Sequence, residues 1–210
     1  GDCIYKMDYN KVLEYHINKK ADITVVTKRL NEGEDASRFG VVKTNADGRI
    51  EEFEEKPIVS MTNEISTGIY VIRRRQLIEL IEKSMQEERH DFVKDVLVRY
   101  KNLKKIYAYP MEEYWSNIST VDSYFNTNMD FLKKDVRDYF FKQYPDVYSK
   151  IDDLPPAKYN PGALVKNSLV SSGSIINGVV IPFIVIILYF GEHQSMSWQI
   201  LIPTRLLAVF

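Results

Sequence analysis

Hydrophobic and polar positions in the first half of the chain alternate between helical and strand periods. Residues 22–30, DITVVTKRL, are rich in β-branched residues and predict a buried strand. Residues 39–44 and 49–54 flank an Asp-Gly pair, which predicts a tight hairpin. Residues 66–72 predict a further strand. Asp8 is expected to cap a helix before the first strand, with an apolar face formed by Tyr9, Val12, Leu13 and Ile17.

Helical periodicity returns between and after these strands. Residues 74–87 predict an amphipathic helix, and Asp91 is expected to cap the next one. A strand is predicted at 105–110, and Thr120 is expected to cap a helix that packs back on the sheet. Helices and strands that alternate in this way are typical of α/β proteins.

From residue 163 the chain changes to a six-residue period. Leu169, Ile175 and Ile181 recur every six residues, and so do Val170 and Ile176. Hexapeptide spacing is typical of a left-handed parallel β-helix. A single β-hairpin with coincidental spacing is the alternative that so few repeats leave open.

The last segment, residues 182–210, has a different composition. Its fully charged residues are Glu192 and Arg205, and we expect it to be an aberrant apolar tail. The apolar run 179–190 is shorter than the ~20 residues that a membrane-spanning helix needs. No membrane association is therefore expected.

Composition and charge restrict the function further. With 210 residues, of which 45% are hydrophobic and 27% charged, the chain can form one domain with a sizeable core and a smaller second one. A net charge of -1 with interspersed signs gives no basic surface for nucleic acid. Cys3 is the single cysteine, so no internal disulfide can form, and a cytoplasmic location is expected.

The stretch 53–70, FEEKPIVSMTNEISTGIY, carries the candidate site. Glu55 and Lys56 stand side by side before Pro57, and a proline favours an extended backbone at the residue before it. The Lys56 ammonium could then reach a phosphate from the end of a strand. Ser66 is small enough to let a sugar ring approach the backbone. A sugar phosphate suits this combination, and an ordinary solvated strand end is the alternative.

Several blocks of the sequence resemble bacterial ADP-glucose pyrophosphorylases, that is, glucose-1-phosphate adenylyltransferases. FEEKP followed by STGIY resembles the glucose-1-phosphate-binding segment of that family. Other blocks occur in the family's order and carry the resemblance from residue 1 to about residue 180: GDCIYKMDY, ASRFGVV, HDFVKDVL, YWSNIST and LPPAKY.

The resemblance implies a fold and a domain organisation. Residues 1–134 would form the carboxyl-terminal part of a nucleotide-sugar pyrophosphorylase domain, which is Rossmann-like and of the glycosyltransferase-A type. Residues 135–160 would connect it to the first coils of a left-handed parallel β-helix at 161–181, before the tail at 182–210.

The resemblance also implies a reaction, in which ATP and glucose 1-phosphate give ADP-glucose and pyrophosphate for glycogen biosynthesis. Glu55, Lys56 and Ser66 would bind glucose 1-phosphate. Asp2 would be a catalytic residue and a ligand of Mg²⁺. The Gly-rich loop with which the family binds ATP is not found, since Gly33, Gly40, Gly48 and Gly68 stand alone, and we expect it upstream of this chain.

Three departures from the family's motifs bear on catalysis. Asn117 and Ser119 replace the aspartate and the glycine of YWxDVGT, and Val93 replaces the glycine of HDFGKD. Losing one preorganised electrostatic contact typically costs a factor of roughly 10²–10³ in rate. The departures favour a regulatory subunit with weak or no catalysis, acting with a catalytic partner subunit in a hetero-oligomer. A catalytically competent fragment is the alternative, and a pyrophosphorylase for another nucleotide or sugar is disfavoured by LPPAKY.

Overall fold

The computed structural model describes residues 3–148, 153–180 and 184–185, and it divides the chain into two compact units. We call residues 7–113 the sheet unit, and residues 1–6 with 114–210 the second unit. In chain order the helices and strands are β1 (Cys3–Tyr5), α1 (Tyr9–Asn18), β2 (Ile23–Arg29), β3 (Gly40–Thr44), β4 (Ile50–Glu55), β5 (Glu64–Ile72), α2 (Arg74–Gln86), a π-helix (Val93–Val98), β6 (Ile106–Pro110), β7 (Trp115–Asn117), α3 (Val121–Asp130), α4 (Lys134–Lys142), β8 (Lys158–Tyr159), β9 (Leu164–Val165), β10 (Leu169–Val170), β11 (Ile175–Ile176), β12 (Val179–Val180) and β13 (Ile184–Val185).

The sheet unit is built on a five-stranded mixed sheet in the order β4-β3-β5-β2-β6. β2 pairs antiparallel with β5 and parallel with β6, so it lies inside the sheet. Its Ile23, Val25 and Val26 are fully buried, as expected for a strand covered on both faces. The predicted α/β class is confirmed.

The β3–β4 hairpin forms where the Asp-Gly pair predicted it. Gly48 has a φ of +84°, a left-handed conformation that glycine adopts without steric cost. Its carbonyl accepts a hydrogen bond from the Ala108 N–H of β6 at 2.9 Å. Lys19 forms an ion pair with Asp47 at 2.6 Å, so the turn is held by both α1 and β6.

α1 starts at its predicted cap, since the Asp8 carboxylate accepts a hydrogen bond from the Asn10 N–H at 3.0 Å. Its predicted apolar face is wrong at three of four positions, because Tyr9, Leu13 and Ile17 are 56%, 47% and 62% exposed. The buried residues are Val12 and His16, one helical turn apart, and the His16 Nδ1 lies 2.8 Å from the Thr24 hydroxyl of β2. Burial, with the nearby Arg73, lowers the pKa of His16 below 6.5.

The helices predicted after β5 are present, but the second is not an α-helix. α2 buries Leu80 against the core, whereas Ile78, Ile81 and Met85 of its predicted inner face stay exposed. The segment after Asp91 is a π-helix, whose backbone bonds run from residue i to i+5. It belongs to the main hydrophobic core, which contains Ile23, Val25, Val42, Ile50, Phe53, Leu80, Val96, Leu97, Tyr100, Ile106 and Ala108.

The second unit pairs β1 antiparallel with β7. α3 begins with a capping box, in which Thr120 and Ser123 each accept the other's backbone N–H. α4 overlaps the start of the predicted connecting segment 135–160, where the sequence predicted no helix. Val136 and Phe140, one turn apart, are buried, and the surrounding charges hide this two-residue stripe in the sequence.

The six short strands after residue 157 pair in parallel. β11 pairs with β8, β12 with β9, and β10 with β13. Ile176 and Val180 form a small core with Ala163, Val165 and Val170. Ile184–Val185 fall within the predicted tail, and the remainder of 182–210 lies outside the described residues, as does Ile181. None of the helices in the described ranges has the length and apolar composition needed to cross a bilayer.

Candidate functional site

The sheet register places the two halves of the FEEKP–STGIY stretch at the same part of the sheet. β3 lies between β4 and β5, and its Val41 pairs with Glu54 on one side and with Ile65 on the other. Glu55 follows Glu54, and Ser66 follows Ile65. The predicted sugar-phosphate residues therefore lie two strands apart within one sheet.

Lys56 directly follows β4 and has its side chain in solvent. Its side chain is 67% exposed and its ammonium lies 3.8 Å from Glu55 Oε1, whereas the Glu55 side chain is only 18% exposed. The predicted extended backbone is wrong, because Lys56 has a φ of +52°. Its N–H still donates to the Phe39 carbonyl at 3.0 Å, so the chain turns away only after this last bond to the neighbouring strand segment.

Glu55 packs against a glycine on the neighbouring strand. Gly40 is its cross-strand partner, and a Cβ there would lie 2.9 Å from Glu55 Oε2 and 2.8 Å from Phe53 Cε1. Both distances are shorter than real Cβ contacts allow. The absence of a side chain at residue 40 thus provides the space that the Glu55 carboxylate occupies.

Ser66 is buried and takes part in a small hydroxyl cluster. Its Oγ lies 3.4 Å from the Tyr70 hydroxyl and accepts a hydrogen bond from the Gly68 N–H at 3.3 Å. Gly68 has a φ of +79°. A left-handed glycine two residues before Tyr70 bends β5 and lets the Tyr70 hydroxyl turn back toward Ser66.

Tyr70, Asp91 and Phe92 lie beside the candidate site and were not predicted as site residues, although they stand in the STGIY and HDFVKDVL blocks. The Tyr70 ring packs against Phe92 with 5.3 Å between centroids. Burial raises the pKa of Tyr70, and the charges of Glu55 and Asp91 raise it further, so its phenol is neutral near pH 7. The cluster combines neutral hydroxyls with carboxylates, which suits the hydroxyl groups of a sugar, while the Lys56 ammonium suits a phosphate.

Asn117 stands opposite Cys3 in the β1–β7 pair. Its side-chain oxygen accepts the Ser119 N–H at 3.2 Å, and its amide nitrogen lies 3.7 Å from Cys3 Sγ. Asp2, the predicted Mg²⁺ ligand, lies outside the described residues. Residues 3–148 and 153–180 contain no group of three or more His, Cys, Asp or Glu that could hold a metal ion. Asn117 offers only a neutral oxygen that a local turn already uses, so the described residues do not fit Mg²⁺ by themselves.

Two hydroxyl contacts fasten the YWSN segment to α3. The Tyr114 hydroxyl donates to Asp130 Oδ2 at 2.9 Å, and Ser116 Oγ lies 2.5 Å from Thr127 Oγ1. Lys133 forms an ion pair with Asp130 at 2.7 Å. Burial raises the pKa of Tyr114 to about 12, and the Asp130 carboxylate contributes to this shift. The strand that carries Asn117 is therefore held by side chains as well as by its pairing with β1.

The Tyr114 hydrogen bond should make stability depend on pH above 10. The folded pKa of about 12 exceeds the usual 10, so the protonated phenol stabilises the fold below pH 10, and this contribution is lost as the pH rises toward 12. Tyr114→Phe should cost about 1 kcal/mol at pH 8 and progressively less at pH 10 and 11. Urea unfolding at each pH measures the difference, and Tyr124→Phe on α3, whose ring is exposed, is the control. A Tyr114→Phe deficit that stays constant with pH would contradict the assignment.

Comparison with known proteins identifies the family. Residues 1–134 match the family model described as nucleotidyl transferase. The chain belongs to this family. It is 41% identical over 183 residues to a glucose-1-phosphate adenylyltransferase of Bacillus subtilis, a match that covers 86% of this chain and 48% of the relative.

Two further relatives carry the same name. The chain is 37% identical over 207 residues to the protein of Desulfitobacterium hafniense (strain Y51), covering 97% of this chain and 52% of the relative. It is 37% identical over 186 residues to that of Thermosipho melanesiensis, covering 86% and 44%. The resemblance predicted from the motifs is confirmed, and the chain spans about half the length of the curated relatives it matches.

Proposed function

We propose that this chain binds glucose 1-phosphate at the Glu55–Tyr70 segment of the sheet unit. The observation that carries the proposal is the exposed Lys56 ammonium beside Glu55, on a sheet that also holds the Ser66–Tyr70 hydroxyl pair. The name of the relatives supports the reaction in which glucose 1-phosphate and ATP give ADP-glucose and pyrophosphate. ATP would be the second substrate of the complete protein.

Each side chain of the proposed site has a distinct task. Lys56 would hold the phosphate as a point charge, and Glu55 would accept hydrogen bonds from sugar hydroxyls. Ser66 and the neutral Tyr70 would contact the ring from β5. The bound phosphate oxygen would attack the α-phosphorus of ATP, and pyrophosphate would leave. By positioning the phosphate, the chain would lower the entropy cost of this encounter.

We also propose that the protein is a regulatory subunit with weak or no catalysis, paired with a catalytic subunit in a hetero-oligomer. Support comes from Asn117 in place of the family's aspartate, with its oxygen already bonded to the Ser119 N–H. Asp2 stays the proposed ligand of Mg²⁺, which would supply positive charge between the phosphates. The short parallel pairs from β8 to β13 support the proposal that a left-handed parallel β-helix starts in this region.

Lys56→Met should weaken glucose 1-phosphate binding by about tenfold, because an ammonium–phosphate contact at an exposed site is worth on the order of 1–2 kcal/mol. Isothermal titration of the 210-residue chain measures the affinity. Lys43→Met is the matched control, since Lys43 lies on the same hairpin and pairs with Glu52 at 2.7 Å. Absence of glucose 1-phosphate binding to the wild-type chain, or equal binding by Lys56→Met, would overturn the proposed site.

Asn117→Asp should raise adenylyl transfer by the complete protein about tenfold, because it restores a carboxylate where the family has one. The measurement is steady-state pyrophosphate release by the wild type, by Asn117→Asp, by the catalytic partner and by the mixture. We expect the wild type alone to be nearly inactive and to raise the partner's rate or its response to an effector. A wild-type subunit that turns over as fast as the partner would contradict the regulatory role.

A further inference from the structure

Asp95 lies in the first turn of the π-helix, where its carboxylate makes two contacts. Its Oδ2 accepts a hydrogen bond from the Asp91 N–H at 3.0 Å, and its Oδ1 lies 3.4 Å from Arg89 Nη1. The side chain is only 16% exposed. The Asp91 side chain is also an acceptor in this turn, because its Oδ1 accepts a hydrogen bond from the Lys94 N–H at 2.9 Å. The two carboxylates together close the start of the helix in the manner of a capping box.

This turn adjoins the proposed sugar site through an unbroken series of contacts. Phe92 follows Asp91 and packs on the Tyr70 ring, and the Tyr70 hydroxyl lies 3.4 Å from Ser66 Oγ. The Asp91 charge is close enough to raise the pKa of Tyr70. A change in the direction of the Asp91–Phe92 peptide would therefore move the surface that Ser66 and Tyr70 present.

Asp95 supplies a hydrogen-bond acceptor for a backbone N–H of this turn. The Asp91 N–H lies just before the π-helix, which is an uncommon arrangement, and its acceptor is the Asp95 carboxylate. Without the Asp95 carboxylate, the Asp91 N–H loses its acceptor and the turn can relax. Phe92, Val93 and Val98 pack against the core and hold the helix in place, so the relaxation would fall on Asp91 and on the Asp91–Phe92 peptide.

We propose that Asp95 is a positioning residue that sets Asp91 and Phe92 against the sugar ring without touching the sugar itself. This inference rests on the proposed glucose 1-phosphate site. It assigns a task to the last aspartate of the HDFVKD block. The contact works through a hydrogen-bond acceptor, so Asp95→Asn should preserve most of it and Asp95→Ala should not.

The test compares two ligands that the site should treat differently. Glucose 1-phosphate would contact both Lys56 and the residues set against its sugar ring, Asp91 and Phe92. Inorganic phosphate would contact Lys56 alone. Asp95→Ala should weaken glucose 1-phosphate about tenfold, since small misplacements of positioning groups have effects of this size or larger. The affinity for inorganic phosphate should stay within about twofold of wild type, because Lys56 follows β4 and is not part of the turn that Asp95 holds. Asp95→Asn should stay within about threefold for both ligands, because its amide oxygen still accepts a hydrogen bond.

The experiment is isothermal titration of the 210-residue chain, with thermal unfolding of every variant. Asp22→Ala is the matched control, because Asp22 also accepts a backbone N–H, that of Lys105 at 2.8 Å, at the start of β2. If Asp95→Ala does not fold, Asp95→Glu displaces the carboxylate by one methylene and should weaken only glucose 1-phosphate, at least about threefold.

The possible outcomes separate the two proposals. A wild-type chain that binds no glucose 1-phosphate overturns the proposed function, and with it the task of Asp95. A wild-type chain that binds it, with Asp95→Ala equal to wild type, overturns the positioning task alone. An equal loss of both ligands in Asp95→Ala shows a general structural defect and also contradicts the inference.

Discussion

Replacing Lys6 with methionine is expected to lower the free energy of unfolding by about 3 kcal/mol, because a buried charged donor would be lost with all its partners left behind. Lys6 is 5% exposed, and its ammonium donates to the carbonyls of Tyr139, Phe140 and Gln143 around the end of α4. A cation is favourable there because carbonyls at a helix C-terminus lack partners within the helix. The ammonium also lies 4.9 Å from the centre of the Tyr139 ring.

Urea unfolding measures this loss, and the unfolding temperature should fall by roughly 6–12 °C. Lys134→Met is the control, because Lys134 is exposed in the first turn of the same helix and its removal should change stability by less than about 0.5 kcal/mol. Equal effects of the two substitutions would mean that the Lys6 contacts contribute nothing beyond an exposed lysine.

Gly40→Ala is expected to cost about 2 kcal/mol of stability, in the range found when extra methyl groups are forced into packed sites. The added Cβ would lie 2.8 Å from Phe53 Cε1 and 2.9 Å from Glu55 Oε2. Phe53 is buried in the core and cannot move freely, so the Glu55 carboxylate should be displaced as well. The same substitution should therefore also weaken glucose 1-phosphate binding.

The control for this substitution is Gly178→Ala, because a Cβ at residue 178 would meet nothing within 4 Å. We expect it to change stability by less than about 0.5 kcal/mol. Chemical unfolding and glucose 1-phosphate titration are measured on both variants. A Gly40→Ala protein with the stability and affinity of wild type would show that hairpin β3–β4 can open at this point without cost.

The sequence predicted the elements whose signals are local. β-branched residues at 22–30 gave a buried strand, because such residues suit a pleated surface in any context. Asp8 and Thr120 were predicted as caps, and both accept backbone N–H groups in the structure. The Asp-Gly turn placed the β3–β4 hairpin, because few residues other than glycine adopt a positive φ at low cost.

The errors concern properties that depend on the rest of the chain. Periodicity marked four apolar positions on α1, yet Val12 and His16 are the residues that the sheet covers, and Thr24 supplies the polar partner that lets a histidine be buried. The helix after Asp91 was predicted but its π type was not, and α4 was missed. A stripe of two buried residues, such as Val136 and Phe140, is too short to stand out among charges in the sequence.

For the candidate site, the sequence by itself determined the residue types and the family. The FEEKP and STGIY blocks predicted Glu55, Lys56 and Ser66 as ligands of glucose 1-phosphate. Asn117 was recognised as a replacement of the family's aspartate. Only the tertiary structure decided which groups surround them. β3 separates Glu55 from Ser66, Gly40 makes room for a carboxylate, and Phe92 from a distant block packs on Tyr70. Such contacts join residues far apart in the chain, and no local pattern encodes them because they follow from strand register and core packing.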